Sequence, residues 1–210
     1  MKGLFVSFEG VECSGKSLQC KLLYEYCLKH EIPVILVREP GGTPLGEKLR
    51  DLLLTETSTP ITEFFIFSAA RSQLTETKII PHLEQEFVVI SDRYFHSSLV
   101  YQGFGRHLDQ KVLREISQVA VFNKHPDITF LLNPPLTTIT ERLQIKHKTI
   151  GLDRIERESK EFHEAIWKGY QKIASDFDYI EIIDASSDPE SIHMTILDLL
   201  AQKDKRFINL

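Results

Sequence analysis

Gly10-Val11-Glu12-Cys13-Ser14-Gly15-Lys16-Ser17 fits the pattern G-x-x-x-x-G-K-[ST] at every fixed position. The two glycines let the backbone curl so that several N–H groups face inward onto a polyphosphate. Lys16 reaches its outer phosphates, and Ser17 offers a hydroxyl to Mg²⁺. The helix that follows adds its positive end to the same site. The pattern carries this meaning only between a strand and a helix. Leu4, Phe5, Val6 and Phe8 form a short apolar run before it, and Lys16 to Lys29 carries Leu22, Leu23, Tyr26 and Cys27 at helical spacing. That context favours nucleotide binding over a plain glycine-rich turn.

Working outward, strand-like runs recur at Leu4 to Phe8, Val34 to Val37, Phe87 to Ile90, Ile128 to Leu132 and Tyr179 to Ile183. Helical stretches separate them: Leu45 to Leu54, Thr62 to Glu86 with a break near Pro81, Asp109 to Phe122, Leu136 to Lys146, Glu156 to Ser175, and Pro189 to Gln202. Asp188 caps the last one, with Ile192, Ile196, Leu199 and Leu200 on one face. Such alternation predicts an α/β fold, a five-stranded parallel sheet with helices on both faces.

At 210 residues the chain is expected to form one domain with insertions. A net charge of -5 gives no global basic field, so neither nucleic acid nor an anionic membrane is an expected partner. No apolar run approaches a membrane span, and Met1-Lys2-Gly3 leads straight into the first strand, so a cytoplasmic protein is expected. Cys13, Cys20 and Cys27 do not read as a secreted disulfide framework. Cys20 and Cys27 share a helix face and read as small core residues. Cys13 reads as a loop filler turned away from the phosphates, although a thiol at a helix N-terminus can also be activated.

Charged clusters stand at the ends of the first three strands: Glu9 and Gly10, Arg38 to Thr43, and Asp92-Arg93-Tyr94. Open α/β sheets bind ligands at that edge. Asp92 follows Val88, Val89, Ile90 and Ser91, the layout of an acid that helps hold Mg²⁺. Arg38 and Arg93 suit a second anion site, since guanidinium forks match phosphate geometry; surface ion pairing is the plain alternative. Phe67 and Arg71 lie four apart on one helix face, where a ring and a planar donor can read a base. From spacing alone Phe67 reads better as core. The basic stretch from Lys146 to Arg157 is either a solvated loop or a mobile lid over a phosphate chain. Asn123-Lys124-His125-Pro126-Asp127 is not a guanine-reading N-K-x-D, since Pro126 stands where the aspartate belongs.

Together these blocks resemble the thymidylate kinases over nearly the whole chain. The matching runs are Phe8 to Glu12 with the loop, Arg38 to Thr43, Phe67-Ser68-Ala69-Ala70-Arg71, Asp92-Arg93-Tyr94 with Ser97-Ser98 and Tyr101-Gln102-Gly103, and Leu152 to Glu156. The resemblance implies a P-loop NTPase fold with a short lid at about 146–157, a homodimer, and transfer of the ATP γ-phosphoryl group to dTMP with Mg²⁺. It implies that Gly10 to Ser17 hold ATP, that Ser17 and Asp92 hold the metal, and that Lys16, Arg93 and Asp92 serve catalysis. Phe67 would stack on thymine and Arg71 bond its O4. Ser98 and Gln102 would lie near the base and Tyr101 near the deoxyribose C2′. Arg38 and Arg93 would hold the acceptor phosphate and Glu12 approach the 3′-hydroxyl, with Glu9 in the same substrate-binding group. Some members carry the catalytic arginine inside the loop and others in the lid. Cys13 is not basic, so the lid type is implied, with Arg154 in the role.

Two other readings stay open at this point. A deoxynucleoside kinase would use Glu39 or Glu9 as base toward a neutral hydroxyl, but a nucleoside gives the pair Arg38 and Arg93 no phosphate to bind. A non-catalytic nucleotide switch would need a base-reading motif that the chain lacks.

Overall fold

The computed structural model describes residues 2–149, 151 and 154–208. The elements run β1 (Leu4–Glu9), α1 (Lys16–Lys29), β2 (Val34–Arg38), α2 (Pro44–Thr55), α3 (Pro60–Leu74), α4 (Ile80–Glu84), β3 (Val88–Asp92) and α5 (Phe95–Ser98). They continue with α6 (Gln110–Ala120), β4 (Ile128–Leu132), α7 (Leu136–Thr149), α8 (Lys160–Ala174), β5 (Ile180–Ile183) and α9 (Pro189–Lys203). Wide π turns at Thr75–Ile79 and Leu99–Gly105 continue α3 and α5. The five strands lie in the order β2-β3-β1-β4-β5, every pair parallel. This is the expected α/β phosphate-loop fold.

Strand alternation divides the core into two layers. Phe5, Val89 and Leu131 point to one side, where Phe64 of α3, Phe95 of α5 and Ile166 of α8 meet them. Val6, Phe8, Ile90 and Phe130 point to the other, under Leu23 of α1 and Ile196 of α9. Cys20 and Cys27 are buried in the second layer, as expected. Central β1 is buried along its whole length, which is why its sequence is apolar without alternation. Among the described residues no helix is long and apolar enough to cross a membrane.

The structure corrects several boundaries. The helical stretch expected to break near Pro81 starts at Pro60, and the irregularity just before Pro81 is the π turn Thr75–Ile79. The π turn widens the backbone, and Pro81 then enters the start of α4, where a missing N–H costs nothing. The stretch from Glu156 starts as a helix only at Lys160, because the Ser159 side chain accepts from Phe162 N and caps α8 there. On α9 Leu197 is buried with Ile192, Ile196 and Leu200, and Leu199 packs against the same cluster partly buried. The helical segment from Phe95 to Gly105 was not expected at all.

Register brings the charged strand ends into one row: Phe8 pairs with Asp92, and Arg38 pairs with Asp92 from the other side. Glu9, Arg38 and Asp92 therefore end side by side on the carboxyl edge.

The last helix offers a stability test. Ile196 is fully buried, and Asp188 accepts from Glu190 N and Ser191 N at the helix start. Ile196→Ala should destabilise by about 2–5 kcal/mol, and Asp188→Ala by about 0.5–2 kcal/mol. Urea unfolding reads both. A cap effect equal to the core effect would mean that α9 is held by its first turn rather than by its apolar face.

Candidate active site

The loop after β1 takes its shape from three residues with positive φ: Gly10 at 142°, Cys13 at 58° and Gly15 at 102°. A Cβ on Gly10 would lie 2.6 Å from the Leu132 carbonyl oxygen, so only glycine fits there. Lys16 folds back over the loop and donates to the Val11 carbonyl at 2.6 Å and to Ser14 Oγ at 3.3 Å. Burial, with the Arg93 charge beside it, pushes Lys16 down to about 8. Ser17 Oγ donates to Asp92 Oδ2. Hydroxyl and carboxylate are hard oxygen donors placed together, the donor chemistry that suits Mg²⁺.

A cavity of about 330 Å³ opens from Lys16 and Ser17. Arg38, Asp92 and Arg93 line it, as do Phe67, Ser98, Tyr101 and Gln102. These sequence-predicted residues thus meet in one space, whereas Glu9, Arg71 and Arg154 do not line it, and the helical spacing that made Phe67 look like core is satisfied instead by its neighbour Phe64.

Arg93 is the most constrained of them. Its backbone sits at φ 74°. Its Nη1 donates to the Gly10 carbonyl at 3.1 Å, Ser97 Oγ at 3.2 Å and Tyr170 OH at 3.2 Å, and its Nη2 to Glu12 Oε1 at 3.0 Å. The guanidinium lies 5.1 Å from the Tyr101 ring centroid. Burial pushes its pKa down, but Tyr101, Tyr170, Glu12 and Glu9 outweigh that and raise it. Glu12 Oε1 also accepts from Tyr101 OH at 2.6 Å, while Glu12 Oε2 is buried with no hydrogen-bond partner among the described residues.

Glu9 stands outside the cavity lining. This buried carboxylate accepts from Tyr94 N at 2.8 Å, Ser97 N at 3.3 Å, Ser97 Oγ at 2.6 Å and Tyr170 OH at 2.9 Å. Burial pushes its pKa up, and His96, Arg93 and Ser97 more than reverse that, so it is lowered. Glu9 holds the turn that carries Arg93. Arg71 likewise sits behind the cavity wall, fully buried. It donates to Glu39 Oε2 at 2.6 Å, Ser98 Oγ at 3.0 Å and the Tyr94 carbonyl at 3.3 Å. Burial outweighs Arg71 at Glu39 and pushes that carboxyl up to about 7.

Arg38 donates to Glu47 Oε2 at 2.8 Å, and Gly42 N donates to the same carboxylate's other oxygen at 2.7 Å. Cys13 borders both cavities, and burial together with Glu156 pushes its thiol up, against an activated thiol. Of the stretch 146–157, Ile150, Leu152 and Asp153 lie outside the described residues. Lys146 and Glu156 line the cavity and pair with each other. Arg154 does not line it. It donates from Nη2 to Glu63 Oε2 and from Nε to the Leu53 carbonyl at 3.1 Å.

A second cavity of about 320 Å³ lies on the other side of the loop, between Gly15, Arg142 and the Ala185–Pro189 turn. Arg142 Nη1 donates to the Cys13 carbonyl at 3.1 Å and Nη2 to the Ala185 carbonyl at 3.4 Å. Sequence reading missed Arg142, as it missed Arg50 in the first cavity and Tyr170 beneath Arg93. Arg142 and Tyr170 lie on helices far along the chain, and nothing local marks them. Arg50 stands three residues from Glu47 on α2, a same-face spacing that was there to be read.

The thymidylate kinase family model matches residues 8–196. A thymidylate kinase of Fervidobacterium nodosum is 43% identical over 194 residues, covering 92% of this chain and 96% of its own. One of a Thermoanaerobacter species is 37% identical over 203 residues, covering 95% of this chain and 98% of its own. Among solved structures, that of the thymidylate kinase from Ehrlichia chaffeensis superposes with a TM-score of 0.78 at 28% identity, covering 95% of this chain and all of the other. A match of that extent, on a chain whose loop, anion clamp and aromatic wall close one cavity, means that the protein belongs to the thymidylate kinase family.

Proposed function

We propose that the chain transfers the γ-phosphoryl group of ATP to dTMP, giving dTDP and ADP for DNA precursor supply, with dTMP in the larger cavity and adenine in the smaller. The observation that carries this reading is the first cavity itself. Its lining brings Lys16 and Ser17 together with the pair Arg38 and Arg93 and with Phe67. A nucleoside acceptor would leave that pair without a ligand.

The acceptor phosphate is already ionised, so no general base is needed and catalysis is positioning plus charge neutralisation. One of its oxygens attacks the γ-phosphorus, the bond to the β-bridging oxygen breaks, and that electron pair leaves on ADP. Arg93 and Arg38 hold the acceptor phosphate. Lys16 leaves its loop contacts for the β- and γ-phosphates, and Arg154 meets the charge that develops in transfer. Ser17 and Asp92 would hold Mg²⁺, which when bound neutralises phosphate charge. Phe67 stacks on thymine, Arg71 bonds O4 through the Ser98 side of the wall, Gln102 lies along the base, and Tyr101 crowds C2′. The orphaned Glu12 Oε2 accepts from the 3′-hydroxyl. The second cavity supports a base site beside the loop, with Arg142 as its wall.

The free thiols of Cys13, Cys20 and Cys27 suit the reducing cytoplasm. Exposed Phe65 of α3 and Val119 of α6, on helices that pack together, support the homodimer.

Incubation with Mg·ATP and dTMP, dUMP, dCMP or thymidine tests the acceptor assignment. One methyl group in an apolar pocket is worth about 1–3 kcal/mol, so dUMP should be a poor yet measurable substrate. Cytosine sets an amino donor against the Arg71 donors, so dCMP should do much worse than dUMP. Phosphorylation of thymidine without dTMP turnover would reverse the assignment of Arg38 and Arg93.

Lys16 provides a pH test. A bound polyphosphate raises the pKa of an amine that stands at about 8 in the free protein. The complex then holds more protons than the free protein near pH 8, so affinity falls as pH rises above that value. Calorimetry of Mg·ATP binding at pH 8 in two buffers of different ionisation heat should show proton uptake, absent in Lys16→Met. Flat affinity from pH 7 to 9 would contradict it.

A further inference from the structure

Glu63 is a buried acid in the first turn of α3 that no step above uses. Its carboxylate has two customers from different parts of the site. Oε1 accepts from Gln102 Nε2 at 2.9 Å, and Gln102 lines the acceptor cavity. Oε2 accepts from Arg154 Nη2, whose Nε is taken by the Leu53 carbonyl at 3.1 Å. Arg106 adds a longer contact to Oε1 at 3.8 Å and donates from Nη2 to Glu158 Oε1, so the two acids and two arginines form one network. In this arrangement Arg154 is docked on the α2–α3 wall rather than among the residues that line the cavity.

We propose that Glu63 is a positioning residue that holds Arg154 in reserve and releases it when dTMP engages Gln102, so that the transfer machinery is completed only with the acceptor in place. This rests on the reading of Arg154 as the cation of the transfer step. The physical basis is competition for one donor. A charge-assisted bond in a buried site keeps Arg154 on Glu63 against the donor phosphates. Acceptor binding draws Gln102 off Oε1, so that Arg106, 3.8 Å from that oxygen, can close on it and share the carboxylate's charge, and it brings a further phosphate charge that favours Arg154 at the cavity. The benefit is suppression of futile hydrolysis. Without the acceptor, water can attack the γ-phosphorus, the bond to the β-bridging oxygen breaks with its electron pair on ADP, and the water's protons leave with inorganic phosphate and solvent. That side reaction needs the same neutralisation of developing charge.

The test measures ADP formation from Mg·ATP with dTMP omitted. Glu63→Gln keeps the shape and replaces the ion pair by a bond from the Arg154 cation to a neutral carbonyl, which holds it less tightly. The acceptor-independent rate should therefore rise roughly fivefold to tenfold. Damage to the fold would lower that rate, so the sign separates positioning from injury. Glu63→Asp keeps the charge one methylene further back and should give a smaller rise, which protects the test if Glu63→Gln fails to fold. In Glu63→Gln with Arg154→Ala the rise should vanish. An unchanged or lower rate in both folded Glu63 variants overturns the proposal, as does a rise that persists without Arg154. Arg154→Ala alone separates the underlying reading. Its kcat for dTMP should fall by about 10³ or more, and an enzyme keeping a third of wild-type kcat would remove the cation role itself, whatever Glu63 does.

Discussion

Everything at the catalytic edge depends on one buried carboxylate. Glu9 ends the central strand, and taking an ionised carboxyl out of water costs several kcal/mol unless its lone pairs are filled. Four donors fill them, two of them backbone N–H groups of the turn after β3 and two of them the hydroxyls of Ser97 and Tyr170. The same two hydroxyls accept from Arg93. The left-handed backbone at Arg93 is a conformation that a bulky side chain adopts only when its surroundings enforce it. Strand pairing sets where Glu9 stands, Glu9 sets the turn, and the turn sets the guanidinium.

Around that anchor the site solves an electrostatic problem. On the proposed reading two polyanions meet there, and three cations assigned to them are each held by an acid or carbonyl of this chain: Arg93 by Glu12, Arg38 by Glu47, Lys16 by Val11. Preformed contacts of this kind fix each donor before the ligand arrives, so little reorganisation remains for the moment of reaction. They also set a competition, since each cation must leave or share its partner. Glu63 extends that logic from the cavity wall to Arg154.

The sheet was legible because buried parallel strands are continuous apolar runs, and all five lie within two residues of their expected limits. The loop, Asp92 and the strand-end arginines were legible because their chemistry is written in contiguous residues. The segment from Phe95 to Gly105 was not. Phe95 to Gly103 is buried throughout, and its polar residues His96, Ser97, Ser98 and Gln102 are mixed among apolar ones instead of forming a solvent face, so there is no amphipathic helical period to detect. Two of the groups that hold the arginines were hidden for another reason. Glu63 and Tyr170 act across distant segments, and sequence spacing says nothing about contacts that only the tertiary fold creates. Glu9 illustrates the limit: the sequence placed it correctly at the sheet edge, yet its lone pairs face the turn beneath the cavity.

Comparison of dTMP and thymidine binding to Glu9→Gln by calorimetry tests that chain of dependence most directly. An amide in place of the carboxylate weakens the hold on Ser97 and Tyr170, and so loosens Arg93, which meets only the phosphate. The account predicts that dTMP affinity falls by about tenfold, the scale of one charge-assisted hydrogen bond, while thymidine affinity stays at its wild-type value. An equal loss for both ligands, or none for dTMP, would contradict it.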